Sequence, residues 1–229
     1  MIAAPLPANE PARLSALHRT QLLDTPLEER FERITRLACR LLHVPVAAVS
    51  LVDHARQWFK SIQGFSVSET PRKLSFCAHA ILGDETMVIP NALLDARFAD
   101  NPLVVGANPV IFYAGHPLKG PDGARVGALC AIDHKPRTFT GDELQTLRDL
   151  AALAETELNA TTLADRQSEL LIALAAERRR ALIDPLTRLW NRDGIMEILS
   201  RAHARALRER NRLGVLMAEI DCFKRLNDT

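Results

Sequence analysis

The chain has 229 residues, which is enough for one large domain or for one medium domain with additional elements. Its formal net charge of +1 excludes a whole-chain field that would attract nucleic acid or an anionic membrane. The longest mainly apolar run, Val44 to Val52, is far shorter than the about 20 residues of a membrane-spanning helix. The N-terminus lacks the basic and then apolar pattern of a secretory signal. We therefore expect no nucleic-acid partner and no membrane partner.

Four cysteines are scattered along the chain, at Cys39, Cys77, Cys130 and Cys222. No C-x-x-C pair occurs among them, so their spacing predicts neither a zinc site nor a disulfide framework. This pattern indicates a reduced, cytoplasmic compartment.

Two helices are predicted after an N-terminal tail over residues 1–9. The first runs from about Glu10 to Leu23, where Asp24-Thr25-Pro26 stops it. The second ends at Pro45, and its apolar residues follow the steps of three and four that are typical of an amphipathic helix: Leu27, Phe31, Ile34, Ala38, Leu41 and Leu42.

A change of period after Pro45 predicts strands. Val46 to Val52 is rich in β-branched residues, and Gln57 to Ile62 follows a polar turn, which is typical of a hairpin. A short helix is predicted at 75–82, a strand at 87–89 and a long loop at 91–110. Two further strands, 111–118 and 125–132, flank a turn at 119–123. This mixture predicts an α+β domain with an antiparallel sheet flanked by helices.

A helix of about 40 residues is predicted from Thr140 onward. It carries two apolar seams, the first at Leu144, Leu147, Ala151, Ala154 and Leu158, the second at Leu163, Leu170, Leu174 and Ala181. The five-residue step from Leu158 to Leu163 shifts the register between them. Because the helix is too long to be covered by a domain of about 140 residues, we predict a dimeric coiled coil. The alternative is a helix that packs on its own domain.

The C-terminal segment starts after Asp184-Pro185. An amphipathic helix is predicted from the spacing of Ile195, Ile198, Leu199, Ala202, Ala206 and Leu207. Leu213 to Ile220 is predicted to be a buried strand. One helix and one strand cannot close a core, so this segment is expected to be an incomplete α/β domain.

Residues 10–160 resemble a GAF domain of the kind that precedes signalling output domains. The resemblance lies in VSLVDHARQWFKS (49–61), SFCAHAIL (75–82), VIPNALLDARFADNPLV (88–104), FYAGHPL (112–118) and GALCAIDHKPR (127–137). It implies the fold and names no ligand, because GAF domains bind cyclic nucleotides, haem, tetrapyrroles, small metabolites or nothing known.

Residues 182–229 resemble the start of a diguanylate cyclase (GGDEF) domain, through DPLTRLWNR (184–192) and EIDCFKRLND (219–228). The resemblance implies that Glu219 holds a metal, that Cys222, Phe223 and Lys224 contact a nucleotide triphosphate, and that Asn227 reads guanine. The family usually has Asp at the position of Glu219, whose longer arm would move a magnesium ligand by roughly one ångström.

The sequence ends before the family's GG(D/E)EF hairpin, which supplies the second metal carboxylate. Phosphoryl transfer needs metal ions that neutralise developing charge and hold the reacting groups in line. We therefore expect no catalysis from these residues. An intact protein of this family would bind GTP and Mg²⁺ and make cyclic di-GMP.

The GAF resemblance also implies a sensor pocket on one sheet face, beneath the 75–82 helix and the 91–110 loop. The residues expected near it are Phe59, Phe76, Cys77, His79, Phe112, Tyr113 and His116. The alternative is that Phe59, Phe76 and Phe112 simply fill the core. Ala78 separates Cys77 from His79, so the adjacent Cys-His pattern of tetrapyrrole-binding GAF domains is not met. A haem-ligand role for His79 or His116 is a further alternative, although a lone histidine is more often a satisfied surface or core residue.

One catalytic subgroup of GAF domains reduces free methionine sulfoxide with cysteines. Cys77 and Cys130 are the pair that such chemistry would use here, since it needs an accessible thiolate and a resolving thiol. However, Cys130 lies in an apolar stretch, where cysteine behaves as a small hydrophobe.

The sequence thus predicts a sensor domain over 10–160, a signalling helix over 140–183 that overlaps it, and a GGDEF fragment over 184–229. We expect a homodimer formed through the helix, a small-molecule ligand or redox signal in the pocket, and GTP only in an intact protein. The alternatives are a methionine sulfoxide reductase and a structural dimerisation module without ligand.

Overall fold

The computed structural model describes residues 1–218, apart from the side chains of residues 161–166, 168 and 169. The chain divides into two compact units, Met1–Gln167 and Ser168–Thr229. In the part of the chain that is described, no helix is long and apolar enough to cross a membrane.

A six-stranded antiparallel sheet forms the centre of the first unit. Its strands are β1 (Val46–Val52), β2 (Arg56–Gln63), β3 (Glu69–Pro71), β4 (Met87–Ile89), β5 (Phe112–Lys119) and β6 (Arg125–Asp133). Their order across the sheet is β3-β2-β1-β6-β5-β4. All seven residues of the central strand β1 are buried, because both faces of the sheet are covered.

Each face of the sheet has its own apolar core. Helices α1 (Glu10–Arg19) and α2 (Glu29–Leu41) and the start of α5 (Gly141–Ala181) bury one face. The short helices α3 (Phe76–Ala80) and α4 (Pro102–Val105) bury the other. Alternate residues of β1 point to opposite cores, as the two-residue period of a strand requires. The predicted α+β fold, with an antiparallel sheet flanked by helices, is confirmed.

The first helix is shorter than predicted. It ends at Arg19, and Gln21 has a left-handed backbone with φ of 54°. The Thr20 hydroxyl donates a hydrogen bond of 2.7 Å to the Leu17 carbonyl, which closes the last turn. Leu22 therefore lies beyond the end of helix α1, and its side chain is buried there rather than on the apolar face of the helix.

Two features of the sheet's outer parts were not predicted. The edge strand β3 has only three residues, and its sequence Glu69-Thr70-Pro71 lacks the apolar alternation by which strands are found. The predicted loop over 91–110 contains a 3₁₀ turn at Ala92–Leu94 as well as helix α4. The side chains of Asn91 and Asn101 cap these two turns by accepting backbone N–H bonds.

The first apolar seam of helix α5 does not form the predicted coiled coil. Leu147, Ala151, Ala154 and Leu158 are buried in the core of their own unit. A seam that already packs on the sheet cannot also pair with a second chain, so the coiled-coil interpretation of these residues is wrong. The alternative is confirmed for this part of the helix, which packs on its own domain.

The second seam is different, because Leu170 and Leu174 are 64% and 65% exposed. The side chain of Leu163 lies outside the described part of the chain.

The second unit contains the predicted amphipathic helix, α6 (Arg192–Glu209), which the Asn191 side chain caps by accepting the Gly194 N–H. The predicted strand is absent over 213–218, where the backbone has no regular structure and Leu216 and Met217 are more than nine-tenths exposed. A strand needs a neighbour for its backbone hydrogen bonds, and none lies beside this segment in residues 1–218. Residues 219 and 220 of the predicted strand lie outside the described residues.

Candidate functional site

A cavity of about 220 Å³ lies in the first unit, on the sheet face that α3 and α4 cover. Strands β2, β3, β5 and β6 form its floor, and α3 and the chain around α4 form its walls. Its lining is mainly apolar: Gln57, Phe59, Ile62, Phe65, Val67, Thr70, Phe76, Cys77, Leu103, Asn108, Val110, Tyr113, Cys130 and Ile132. The cavity lies beneath the elements that the sequence assigned to a sensor pocket.

Four of the seven candidate pocket residues line this cavity, namely Phe59, Phe76, Cys77 and Tyr113. Phe112 packs instead against Phe139 on the opposite face, with ring centroids 4.7 Å apart. His116 lies outside the lining, with its Nδ1 2.9 Å from the Thr86 hydroxyl. The strand period explains both placements, since Tyr113 points into the cavity and residues one and three positions away must point out of it.

His79 is also outside the lining. Its Nε2 is 3.1 Å from the carbonyl oxygen of Ile2, and its ring meets Phe98 edge-on at 4.9 Å. It lies two positions after Cys77 on α3, which turns its side chain to the other side of the helix. Burial lowers the pKa of His79, so the neutral imidazole is favoured.

Ser75 sets the position of α3. Its hydroxyl accepts the N–H of Ala78 at 2.9 Å, which caps the helix, and it donates to the side-chain oxygen of Gln57 on β2. This bond ties the start of the helix to the sheet. Phe76 is thereby held against Phe98, with which it stacks at 4.1 Å.

Tyr113 lies along the sheet because position 115 is a glycine. A side chain at Gly115 would collide with the hydroxyl end of the Tyr113 ring. The phenol donates a hydrogen bond of 3.2 Å to the sulfur of Cys77. Burial and the thiols of Cys77 and Cys130 raise the pKa of Tyr113 well above its usual range, so the phenol stays protonated.

Cys77 on α3 and Cys130 on β6 both line the cavity, and each is only 1% exposed. Interactions with the Cys130 thiol, Ser50 and Tyr113 outweigh burial and lower the pKa of Cys77. Interaction with Cys77 and burial raise the pKa of the Cys130 thiol well above its usual range. The arrangement makes Cys77 the more acidic thiol of the pair.

Polar groups reach the cavity at several points that the sequence did not indicate. Gln57, Thr70 and Asn108 line it, and the buried hydroxyl of Thr70 has no hydrogen-bond partner in the described chain. Gln57 and Cys130 could have been found from the two-residue period, because they share a face with Phe59 and Ile132. Thr70 could not, because β3 carries no strand signal.

The residues assigned to nucleotide and metal binding by resemblance lie outside the described residues. They are Glu219, Cys222, Phe223, Lys224 and Asn227.

Family models match both parts of the chain. A GAF domain family model matches residues 26–158, more than half of the chain, so the chain belongs to the GAF domain family. A model described as diguanylate cyclase, GGDEF domain, matches residues 181–229. The two matches together support a sensor domain linked to cyclic di-GMP signalling.

Two curated proteins resemble parts of the chain. The cyclic di-GMP phosphodiesterase PA2567 of Pseudomonas aeruginosa is 42% identical over 137 residues, which are 60% of this chain and 23% of that protein. The diguanylate cyclase DgcP of Escherichia coli is 30% identical over 116 residues, 51% of this chain and 33% of that protein. The chain thus spans no more than about a third of the length of either relative.

Among solved structures, the GAF domain of an Acinetobacter phosphoenolpyruvate-protein phosphotransferase is 17% identical to this chain. The match covers 68% of this chain and 98% of that one, with a TM-score of 0.49.

Proposed function

We propose that the first unit is a small-molecule sensor whose ligand binds in the 220 Å³ cavity and regulates a cyclic di-GMP output. The observation that carries this proposal is the cavity itself, which is mainly apolar and has a few convergent polar groups. The partnerless hydroxyl of Thr70 favours a ligand with its own polar atom, since a buried hydroxyl without a partner costs about 1–3 kcal/mol. A small, largely apolar molecule with one or two polar groups fits this lining.

The proposal is tested by a thermal-shift screen of small molecules on the full chain. A ligand that binds only the folded state raises Tm with concentration. The variant Thr70→Val keeps the shape of the side chain but removes the hydroxyl, so it should weaken the best ligand about fivefold to tenfold. Thr138→Val, on an exposed loop, is the matched control and should change nothing. A screen with no saturating ligand, or equal affinity for both variants, would argue against the proposal.

The proposed output is synthesis of cyclic di-GMP from GTP, with Mg²⁺, by an intact protein that contains the whole GGDEF domain. The match over residues 181–229 supports it, and both curated relatives are named for cyclic di-GMP enzymes. Residues 1–229 alone should yield no product from GTP and magnesium. Ligand binding can regulate the output only if it favours one arrangement of the protein over another.

We place the protein in the cytoplasm as a homodimer formed by the second half of α5. Leu170, Leu171, Ile172 and Leu174 are each at least 60% exposed, which is an unusual run of apolar surface on one helix. A second copy of the same helix is the partner that a leucine seam of this kind fits.

A second candidate function is thiol-dependent reduction of free methionine sulfoxide, which the position of Cys77 and Cys130 on the lining of one cavity favours. In that reaction the two thiols would become a disulfide, and the sulfoxide oxygen would leave as water. The burial of both thiols opposes it, because a substrate must reach the sulfur. Activity that is lost in Cys77→Ser would support this function, and no activity in the wild-type protein would remove it. The same thiol pair could instead serve as a redox signal.

The third alternative, a structural module with a pocket filled by its own side chains, does not fit a cavity of this volume.

A further inference from the structure

A second cavity, of about 240 Å³, lies in the first unit where three segments meet. These are the residues before α1, the chain after α3, and the turn between β5 and β6. No residue lines both this cavity and the cavity of about 220 Å³ that is proposed to bind the sensed ligand, here called the sensor cavity. Its charged and amide side chains are Asn9, Arg13, Asp84 and Arg125, so it is of a different chemical kind.

Arg13 is the most deeply buried charged group that lines this cavity. Only 2% of it is exposed, which is rare for arginine. Two of its nitrogens, Nε and Nη2, donate to the Glu10 carboxylate at 2.7 and 2.8 Å. The third, Nη1, is buried without a hydrogen-bond partner in the described chain. A buried guanidinium donor in this state is expensive. Arg13 lines the cavity, so an acceptor bound there would lie beside this guanidinium.

The charge of Arg13 is also incompletely balanced. Glu10 accepts a second guanidinium, from Arg72 at 2.5 Å, so two buried cations share one carboxylate. The Nη2 of Arg72 likewise has no partner in the described chain. This cluster therefore carries an excess of one positive charge in a place that water reaches poorly, where an anion is attracted strongly.

Arg125 places a second guanidinium on the wall of the same cavity. Its Nη1 is 2.9 Å from Asp84, and the Asp84 carboxylate is also 3.5 Å from the ammonium of Lys119. Two cations again share one carboxylate. Because Asp84 is 63% exposed, its hold on Arg125 is weak and screened by water.

We propose that this cavity binds the oxyanion group of a small molecule, a phosphate or a carboxylate, between Arg13 and Arg125. Guanidinium groups recognise both oxyanions through paired N–H donors. The amide of Asn9 adds a further donor on the wall. The volume is far above the about 10–15 Å³ that one water needs, so there is room for more than a bare ion. Asp84 opposes the anion and limits its affinity.

The test is a thermal-shift titration of the full chain with inorganic phosphate and, separately, with acetate, at constant ionic strength set by sodium chloride. We expect a saturable rise of Tm with at least one of the two anions, and the anion that saturates identifies the class. General salt effects on stability do not saturate and are common to all variants. If neither anion gives a saturable shift, the proposal is overturned.

Three variants locate the effect. Arg125→Gln removes a partly exposed cation and should raise the apparent dissociation constant about tenfold. Asp84→Asn removes the opposing carboxylate and should lower that constant severalfold. Arg33→Gln removes the same charge from the surface of α2, where the side chain is 66% exposed, and should change nothing. Equal affinities in Arg125→Gln and Arg33→Gln would overturn the proposal.

Discussion

At the scale of single residues, Gly115 and Tyr113 determine the shape of the sensor cavity. The glycine leaves room for the Tyr113 ring to lie along the sheet, and the ring then reaches the sulfur of Cys77. A small residue on one strand thus allows a large one, two positions away, to become part of the cavity wall. The volume left for a ligand depends on this pair.

We predict that Gly115→Ala will push the Tyr113 ring towards the cavity and break its bond to Cys77. The cost should be about 1–3 kcal/mol of unfolding free energy, as for other overpacked cores. Tyr113 is the one tyrosine in the chain, and two tryptophans would overlap its circular dichroism, so the NMR resonances of a selectively labelled tyrosine ring report the movement directly. The control is Gly83→Ala, where an added methyl group meets nothing within 4 Å. An unchanged tyrosine signal in Gly115→Ala would contradict this account of the cavity wall.

Glu10 gives a prediction about pH. Burial raises the pKa of Glu10, but hydrogen bonds from Arg13 and Arg72 outweigh it and lower the pKa to about 2. A lowered folded-state pKa stabilises the fold fully above the unfolded value, near 4.5, and the stabilisation is lost as pH falls towards 2. The difference corresponds to about 3 kcal/mol at neutral pH.

Urea denaturation of Glu10→Gln should therefore show a loss of about that size at pH 7 and less than half of it at pH 3. Glu29→Gln, which removes an exposed carboxylate from α2, should show little change at either pH. A loss in Glu10→Gln that is independent of pH would mean that the ionised carboxylate is not what stabilises the cluster.

At the scale of secondary structure, α5 consists of two parts with different environments. Its first part is buried against the sheet of its own unit, whereas its second part exposes several large apolar side chains. We predict that Leu147→Ala will cost about 2–5 kcal/mol because it leaves a cavity in a closed core. Leu153→Ala, on the same helix but 53% exposed, should cost less than 1 kcal/mol in the same denaturation measurement. Equal losses would show that the first seam is not packed as described.

The second part of α5 is expected to hold two chains together. The double variant Leu170→Glu and Leu174→Glu places charges on the exposed seam, so light scattering should change from dimer mass to monomer mass. Leu94→Glu adds a charge to a leucine that is 83% exposed and distant in sequence, and it should leave the mass unchanged. A wild-type protein that is monomeric at high concentration would end this interpretation.

Helices and strands with a regular spacing of apolar residues were predictable from the sequence. Elements that depend on contacts with other segments were not. The β-branched run of β1 and the heptad-like spacing of α2 and α5 are present where the sequence indicated them. Strand β3 was missed because it exists only as an edge partner of β2. The first seam of α5 packs on a sheet and not on a second helix. An apolar stripe on a helix does not reveal which of these two surfaces covers it.

At the scale of the whole molecule, the resemblance predicted the GAF family correctly and agrees with the GGDEF match over residues 181–229, while the physical site had to be found in the structure. The candidate pocket residues are aromatic, cysteine and histidine residues of β2, α3 and β5, three elements that do line the cavity. Strand alternation divides that set, since Phe112 and Tyr113 are neighbours and cannot share a face. The polar groups that favour a ligand, such as Thr70, depend on contacts between segments distant in the sequence.

The central proposal is that the sensor cavity holds a small molecule, and native mass spectrometry of the purified chain tests this most directly. We expect ions that exceed the bare polypeptide mass, 25.4 kDa per chain, by one small molecule per chain, which activation releases. Leu103→Trp, which fills the cavity from α4, should yield only the bare polypeptide mass of the same oligomer. Bare mass for the wild-type protein, or the same added mass in the filled variant, would contradict the central claim.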